Sequence, residues 1–326
     1  MRYSRRSFMG LTLAGLSAES VAQWSAGGND RFGGVRIGVQ TYSFRDMLGT
    51  PGDMTDKMIA AMQELSLTEC EMFEPCLQPP ALSADSPWRM VGGKPTQASL
   101  LGRPPTKAPD AAALAHLDAV RQWRLGPGLD QVREAAAKFK QAGIRIFAFN
   151  YLLKDSCTDA EIERGLQMTE AVGSRIMTAS TTLTMAKRSL PFFQKRGLTL
   201  ALHGHSNLED PNQFATPESF EQALAMSPLY RVNLDIGHFS AAGFDSVAFI
   251  RKHHARITNL HLKDRKNHDG PNEPFGQGDT PIKPVLELLK HEGYPIPADI
   301  EYEYAGSGSS VREVGKCLDY VRAALA

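Results

Sequence analysis

The sequence predicts a (β/α)8 barrel, the TIM-barrel class. Eight short apolar, β-branched runs alternate with longer amphipathic stretches along the 326 residues. Such alternation gives parallel strands joined by right-handed helical crossovers, and eight units close into a barrel. No glycine-rich phosphate loop follows the first run, which argues against a doubly wound open sheet. The length would suit about two average domains, but α/β barrels of about 250 residues form one.

Taken in order, residues 1–22 stand apart from the fold. Ser4-Arg5-Arg6-Ser7-Phe8-Met9-Gly10, a short apolar run at 11–16 and Ser20-Val21-Ala22 follow the order of a twin-arginine export signal. The expectation is an exported, periplasmic protein with no membrane association once the signal is removed. A linker at 23–33 leads to a single barrel domain at 34–326. The strand candidates are residues 35–41 (VRIGVQT), 68–74 (TECEMFE), 144–150 (IRIFAFN), 175–180 (RIMTAS), 198–204 (LTLALHG), 231–236 (RVNLDI), 257–263 (ITNLHLK) and 298–304 (ADIEYEY). Helical patterns lie at 53–65, 129–142, 158–172, 182–196, 217–226, 246–254, 281–291 and 311–324. In the first of these, Met58, Ile59, Met62 and Leu65 share one face. The third opens with Thr158-Asp159-Ala160-Glu161, a capping box.

Residues 78–128 break the rhythm with eight prolines. An insertion this long, leaving the second strand on the active-site side, reads as a lid or rim with a short helix at 111–123. Its Trp88 and Trp123 are candidate platforms on which a ligand ring could stack. The four cysteines, Cys70, Cys76, Cys157 and Cys317, match no zinc or redox spacing. An exported chain permits a Cys70–Cys76 bond, though a core this size does not need one. With 36 basic and 36 acidic residues, no one-signed field exists to recruit nucleic acid or an anionic membrane.

The chemistry-bearing residues gather at four predicted strand ends: His203 and His205 on the fifth, Asp235 and His238 on the sixth, His261, Lys263 and Asp264 on the seventh, Glu301 and Glu303 on the eighth. Parallel barrel strands present these ends to one shared mouth, and residues two apart face the same way. Imidazoles and carboxylates turned into a narrow barrel are costly unless paired or metal-bound. A mixed nitrogen and oxygen donor set suits one Mn, Co, Zn or Fe ion better than Mg or Ca. Glu71 and Glu74 end the second strand, where one could meet substrate hydroxyls.

From about Val35 onward the chain resembles the xylose-isomerase-like sugar isomerase/epimerase superfamily, which also contains apurinic endonucleases. The resemblance rests on Leu234-Asp235-Ile236-Gly237-His238, Asn259-Leu260-His261-Leu262-Lys263-Asp264 and Phe275-Gly276-Gln277-Gly278-Asp279 ahead of Glu301. It implies metal ligation by Asp235, His261 and Glu301, with Glu303 as rival to Glu301. The strand-five ligand, an acid in the family, is here His203, with His205 as the other choice. That replacement removes one of the two glutamates that shuttle the proton in many of these epimerases. His205, Glu303 and Lys263 are left to move protons, while His238, Glu71 and Asp264 are expected to touch substrate.

The function these readings support is metal-dependent isomerisation or epimerisation of a sugar through an enediolate. The alternative is metal-assisted β-elimination on a keto-glycoside or keto-cyclitol. A non-catalytic sugar-binding barrel and an apurinic endonuclease are the remaining readings, the latter disfavoured by the neutral charge. No phosphate-binding pattern follows strands seven and eight, which favours an unphosphorylated substrate. Relatives of this kind often form homo-oligomers.

Overall fold

A computed structural model of the chain describes residues 31–84, 86–88 and 111–326. The expected export segment and most of the linker lie outside the described residues, as do Asp85 and residues 89–110 of the insertion.

Eight parallel strands close the barrel: β1 (Val35–Gln40), β2 (Glu69–Phe73), β3 (Arg145–Asn150), β4 (Ile176–Ser180), β5 (Thr199–His203), β6 (Tyr230–Asp235), β7 (Ile257–Leu262) and β8 (Ala298–Ile300). Each pairs with its sequence neighbour, and β8 returns to pair with both β7 and β1. The apolar runs are buried on both faces, as a parallel strand between barrel interior and helical coat must be. Arg31–Phe32 adds a short antiparallel pairing at the start of β1.

The helices follow the amphipathic stretches closely, from Met54–Glu64 through Ser310–Leu325. Asp159–Ala171 carries the expected capping box: Glu161 N–H donates to Thr158 Oγ1, and Thr158 N–H to Glu161 Oε2. Ala111–Leu125 extends the helix expected within the insertion.

Several short elements were not expected, and those nearest the mouth are these. Thr41–Met47 forms 3-10 turns, Ile236–Ala241 forms a short helix, and Asp264–Arg265 pairs antiparallel with Asn272–Glu273. β8 is also shorter than its pattern. At Ile300 the strand ladder gives way to Ser43, whose Oγ donates to Ile300 C=O at 3.2 Å and accepts from Tyr302 N–H at 2.9 Å. Glu301 and Glu303 therefore leave the strand end rather than lie within the strand.

All four cysteines are buried free thiols, so no Cys70–Cys76 bond forms. Both pack into the main apolar core, and burial pushes the Cys76 thiol up to about 12. Among the described residues no helix is long and apolar enough to cross a membrane.

Candidate active site

The residues at the C-terminal ends of β5 to β8 converge. One donor atom from each of His203, Asp235, His261 and Glu301 lies within 4.8 Å of the others, and all four side chains are buried. A layer of polar side chains beneath them sets their orientation. Asn233, two residues before Asp235, uses its amide N–H on Glu71, so its carbonyl oxygen takes the Nδ1–H of His203 at 2.7 Å. This leaves the His203 Nε2 lone pair turned to the mouth. His261 donates Nε2–H to Glu71 Oε2 at 2.9 Å and turns Nδ1 to Glu301 Oε2 at 2.9 Å. A histidine whose far nitrogen donates to a carboxylate is the usual form of a metal ligand.

Glu71 is fully buried. Its Oε1 accepts from Gln40, Asn150 and Thr178, and its Oε2 from Asn233, Asn259 and His261. Expected to touch substrate, it instead has both oxygens occupied by six donors from within the barrel. Burial works against its charge, but His261 and its other donors outweigh this and hold the carboxyl below its ordinary range. Glu74 is likewise committed, gripped by Arg124 through two contacts of 2.6 Å.

Lys263 stands among three carboxylates. Its Nζ lies 3.0 Å from Asp235 Oδ2, 2.8 Å from Glu301 Oε2 and 2.6 Å from Glu303 Oε2. Burial opposes the ammonium, yet Asp235, Glu301 and Glu303 raise its pKa and keep it charged. Lys263 is therefore held as an ammonium among these carboxylates. Burial also opposes a charge on His261, but Glu71 and Glu301 on its two nitrogens raise its pKa well above the usual histidine range. Burial, then His203, leave His205 neutral.

A metal fits this donor set. Asp235 Oδ1 caps the helix Ile236–Ala241 through His238 N–H, whereas Oδ2 is buried without a well-aligned hydrogen bond. The Lys263 ammonium and the His261 imidazolium together face four carboxylates, Glu71, Asp235, Glu301 and Glu303, a shortfall of positive charge in a buried site.

Asp264 takes a structural role. Its Oδ2 accepts the backbone N–H of Gly276 and Gly278, and its Oδ1 that of Thr280. A Cβ at Gly278 would meet Asp264 Oδ1 at 2.1 Å, which explains the glycine in Phe275-Gly276-Gln277-Gly278-Asp279. Trp123 is buried, with its Nε1–H on Gln131, and serves packing rather than sugar stacking. Trp88 packs edge-on against Tyr42 and Phe73.

Sequence reasoning missed Asn233, Asn259, Asp299, whose Oδ2 accepts from Asn259 Nδ2 at 2.7 Å, and Arg265. The first three had a visible signal: each lies two residues before a candidate ligand, hence on the same face one layer down.

A closed parallel barrel with convergent acids and histidines at its mouth defines a class of sugar-transforming enzymes and their relatives. Within that class, the sequence profile described as Xylose isomerase-like TIM barrel matches residues 110–323, and the chain belongs to this family. The L-ribulose-5-phosphate 3-epimerase UlaE of Escherichia coli is 26% identical over 214 residues, 64% of this chain. The match spans 66% of that relative's length, a little under two thirds. The solved 3-keto-D-glucoside 4-epimerase YcjR of E. coli superposes with a TM-score of 0.58 at 13% identity, covering 89% of this chain and 99% of that one. The IOLI protein with a bound zinc atom gives 0.57 at 13% identity, covering 89% and 97%.

Proposed function

We propose that the protein is a divalent-metal-dependent sugar isomerase or epimerase that moves a proton next to a carbonyl. The observation that carries this reading is the buried tetrad His203, Asp235, His261 and Glu301, with its donor atoms within 4.8 Å of one another. Bound there, Mn, Co, Zn or Fe would supply Lewis acidity toward a carbonyl and the neighbouring hydroxyl. His203 Nε2, Asp235 Oδ2, His261 Nδ1 and a Glu301 oxygen are the atoms that would hold it.

The chain's own residues then divide the work. Glu303 and His205 are the groups available to take the proton α to the carbonyl and return it. Lys263 donates to the substrate oxygen as it gains charge, which favours the enediolate over the ketone. Return of the proton on the other face gives an epimer, and return to the neighbouring carbon gives an isomer. The names of UlaE and YcjR, both epimerases of sugars, accord with this chemistry.

A second reading follows from His203. With an imidazole where the family has a carboxylate, the two proton-moving groups are unlike: Glu303 is an acid and His205 an imidazole. Unlike groups suit β-elimination from a keto-glycoside or keto-cyclitol, in which one takes the α-proton and the other protonates the leaving oxygen. The substrate is proposed to be a small unphosphorylated sugar. Residues 4–22 support export through the twin-arginine route, which Arg5→Lys/Arg6→Lys tests by cell fractionation.

Elemental analysis beside Asp235→Ala/His261→Ala tests the main reading. About one Mn, Co, Zn or Fe per chain, lost in the double variant, with D2O exchange into a keto-sugar or keto-glycoside, is the expected result. No metal in either protein after reconstitution would overturn it.

A further inference from the structure

A second group of imidazoles adjoins the tetrad. His203, His205 and His238 also bring donor atoms within 4.8 Å of one another. Their ring centroids are 5.1 Å (His203–His205), 4.9 Å (His205–His238) and 6.1 Å (His203–His238) apart. Three neutral histidines suggest a second metal position, but the surroundings of His238 argue for a different use.

Arg265 is among the largest fully buried side chains. It sits at the base of the hairpin formed by Asp264–Arg265 and Asn272–Glu273, whose tip turns through His268 and Asp269 at positive φ. Its guanidinium is fixed on every side. Nε–H and Nη2–H donate to Gly270 C=O at 3.1 and 2.6 Å. Nη2–H also reaches Asp269 Oδ1 at 3.2 Å. Nη1–H reaches Ser206 Oγ at 2.7 Å and His238 Nδ1 at 2.6 Å.

Arginine has donors only and stays protonated. At 2.6 Å, His238 Nδ1 must therefore be the acceptor, and a neutral ring then carries its proton on Nε2. That nitrogen faces the mouth, 3.2 Å from Lys263 Nζ and 3.9 Å from Asp235 Oδ2. Lys263 also has no lone pair to offer. The acceptor nearest both is Asp235 Oδ2, one of the atoms that would hold the metal; with that oxygen so engaged, the two donors form a cradle for one oxygen. Two fixed cations beside His238 also make it a poor ligand for a further cation.

We propose that Arg265 is a positioning residue that fixes His238 as its Nε2–H tautomer, so that His238 and Lys263 together present two donors to a single substrate oxygen. The substrate half of this inference rests on the sugar reading above, and the oxygen is the carbonyl oxygen that becomes anionic on proton removal. His238 acts as a neutral hydrogen-bond donor and does not abstract the proton. Such donors act where charge develops, so they favour the transition state over the bound ketone.

The test needs no substrate. Full-length protein carrying 15N-labelled histidine, metal-free and then with Zn2+, gives long-range 1H–15N correlations that separate pyridine-type from pyrrole-type ring nitrogens. His238 is assigned by the signal that His238→Gln removes. Expected are a pyridine-type Nδ1 and a pyrrole-type Nε2, unchanged by Zn2+, with the pattern collapsing to mixed tautomers in Arg265→Met. Arg265→Gln, whose amide both donates and accepts, gives the same mixture and stands in if Arg265→Met does not fold. A pyrrole-type Nδ1 in the wild type overturns the proposal. So does a pattern that ignores both Arg265 variants, or a Zn2+ ion that takes His238 Nε2 as a ligand.

Kinetics on a turned-over sugar supply the second readout. Arg265→Met is expected to lower kcat and kcat/KM together, by up to the 10²–10³-fold typical of a lost oxyanion donor. A rise in KM alone overturns the transition-state role. Absence of turnover in the wild type would count against the sugar reading and leave the tautomer result standing.

Discussion

Glu74 and Glu301 are both buried glutamates at the C-terminal ends of barrel strands, yet they differ in what surrounds them. Glu74, after β2, takes both a 2.6 Å Nε–H and a 2.6 Å Nη2–H contact from one guanidinium, and it accepts Leu152 N–H as well. Arg124 also meets Glu161, at 3.2 Å, and its face stacks on the Tyr151 ring. Glu301, after β8, shares the Lys263 ammonium with Asp235 and Glu303 and the His261 imidazolium with Glu71, two cations among four carboxylates. A buried carboxylate at the mouth is therefore not in itself the mark of a site. A carboxylate group with too little positive charge is, because only a ligand can make up the difference.

Removing each cation is the sharpest way to test that contrast. Arg124→Met strands the Glu74 carboxylate and is expected to cost about 3–5 kcal/mol in urea unfolding, the usual penalty for halving a buried pair. Added Zn2+ should not restore it. Lys263→Met should also destabilise the chelator-treated protein, but here Zn2+ should compensate, by about 2.7 kcal/mol at a hundredfold excess over its Kd. Equal indifference of the two variants to Zn2+ would remove the distinction.

Glu71→Gln is the next largest test. It removes the charge that accepts His261 Nε2–H, so Zn2+ affinity by competition with a chelating dye should fall about 10–100-fold. An unchanged affinity would make Glu71 a packing residue only. Asp264→Asn should be milder and confined to folding. Its new NH2 cannot accept the N–H groups now served by Asp264, at a cost of about 1–3 kcal/mol, while Zn2+ affinity stays as in the wild type.

These residues also show where the sequence is readable. The barrel was legible because strand and helix periods are local properties, and every expected strand lies within a few residues of its place. The four tetrad residues were legible because they stand at strand ends. Glu71 and Asp264 were misplaced for a related reason. A carboxylate at a strand end looks the same in sequence whether its oxygens face a mouth or meet six donors from five other strands. Arg265 was invisible as a partner of His238 because 27 positions, with the helix Ser246–His253 and strand β7 among them, separate the two.

The smallest effect concerns a feature read from four consecutive residues. Thr158→Ala removes the hydroxyl that caps Asp159–Ala171 and should cost about 1 kcal/mol. Glu161 closes the same box and meets Arg121 at 3.0 Å and Arg124 at 3.2 Å. Burial raises its pKa, but Thr158 and the two arginines outweigh this and hold it below the ordinary 4.5. A carboxyl with a depressed folded pKa contributes stability above its unfolded value, and loses it as pH falls through the folded one. The wild type should therefore exceed Glu161→Gln in stability at pH 7, with the margin shrinking from about pH 4.5 downward, as followed by urea melts. A margin constant across that range would assign Glu161 to the cap alone and leave Arg124 with Glu74 as its one essential partner, which is the saturated pairing that sets this side of the barrel apart from the mouth.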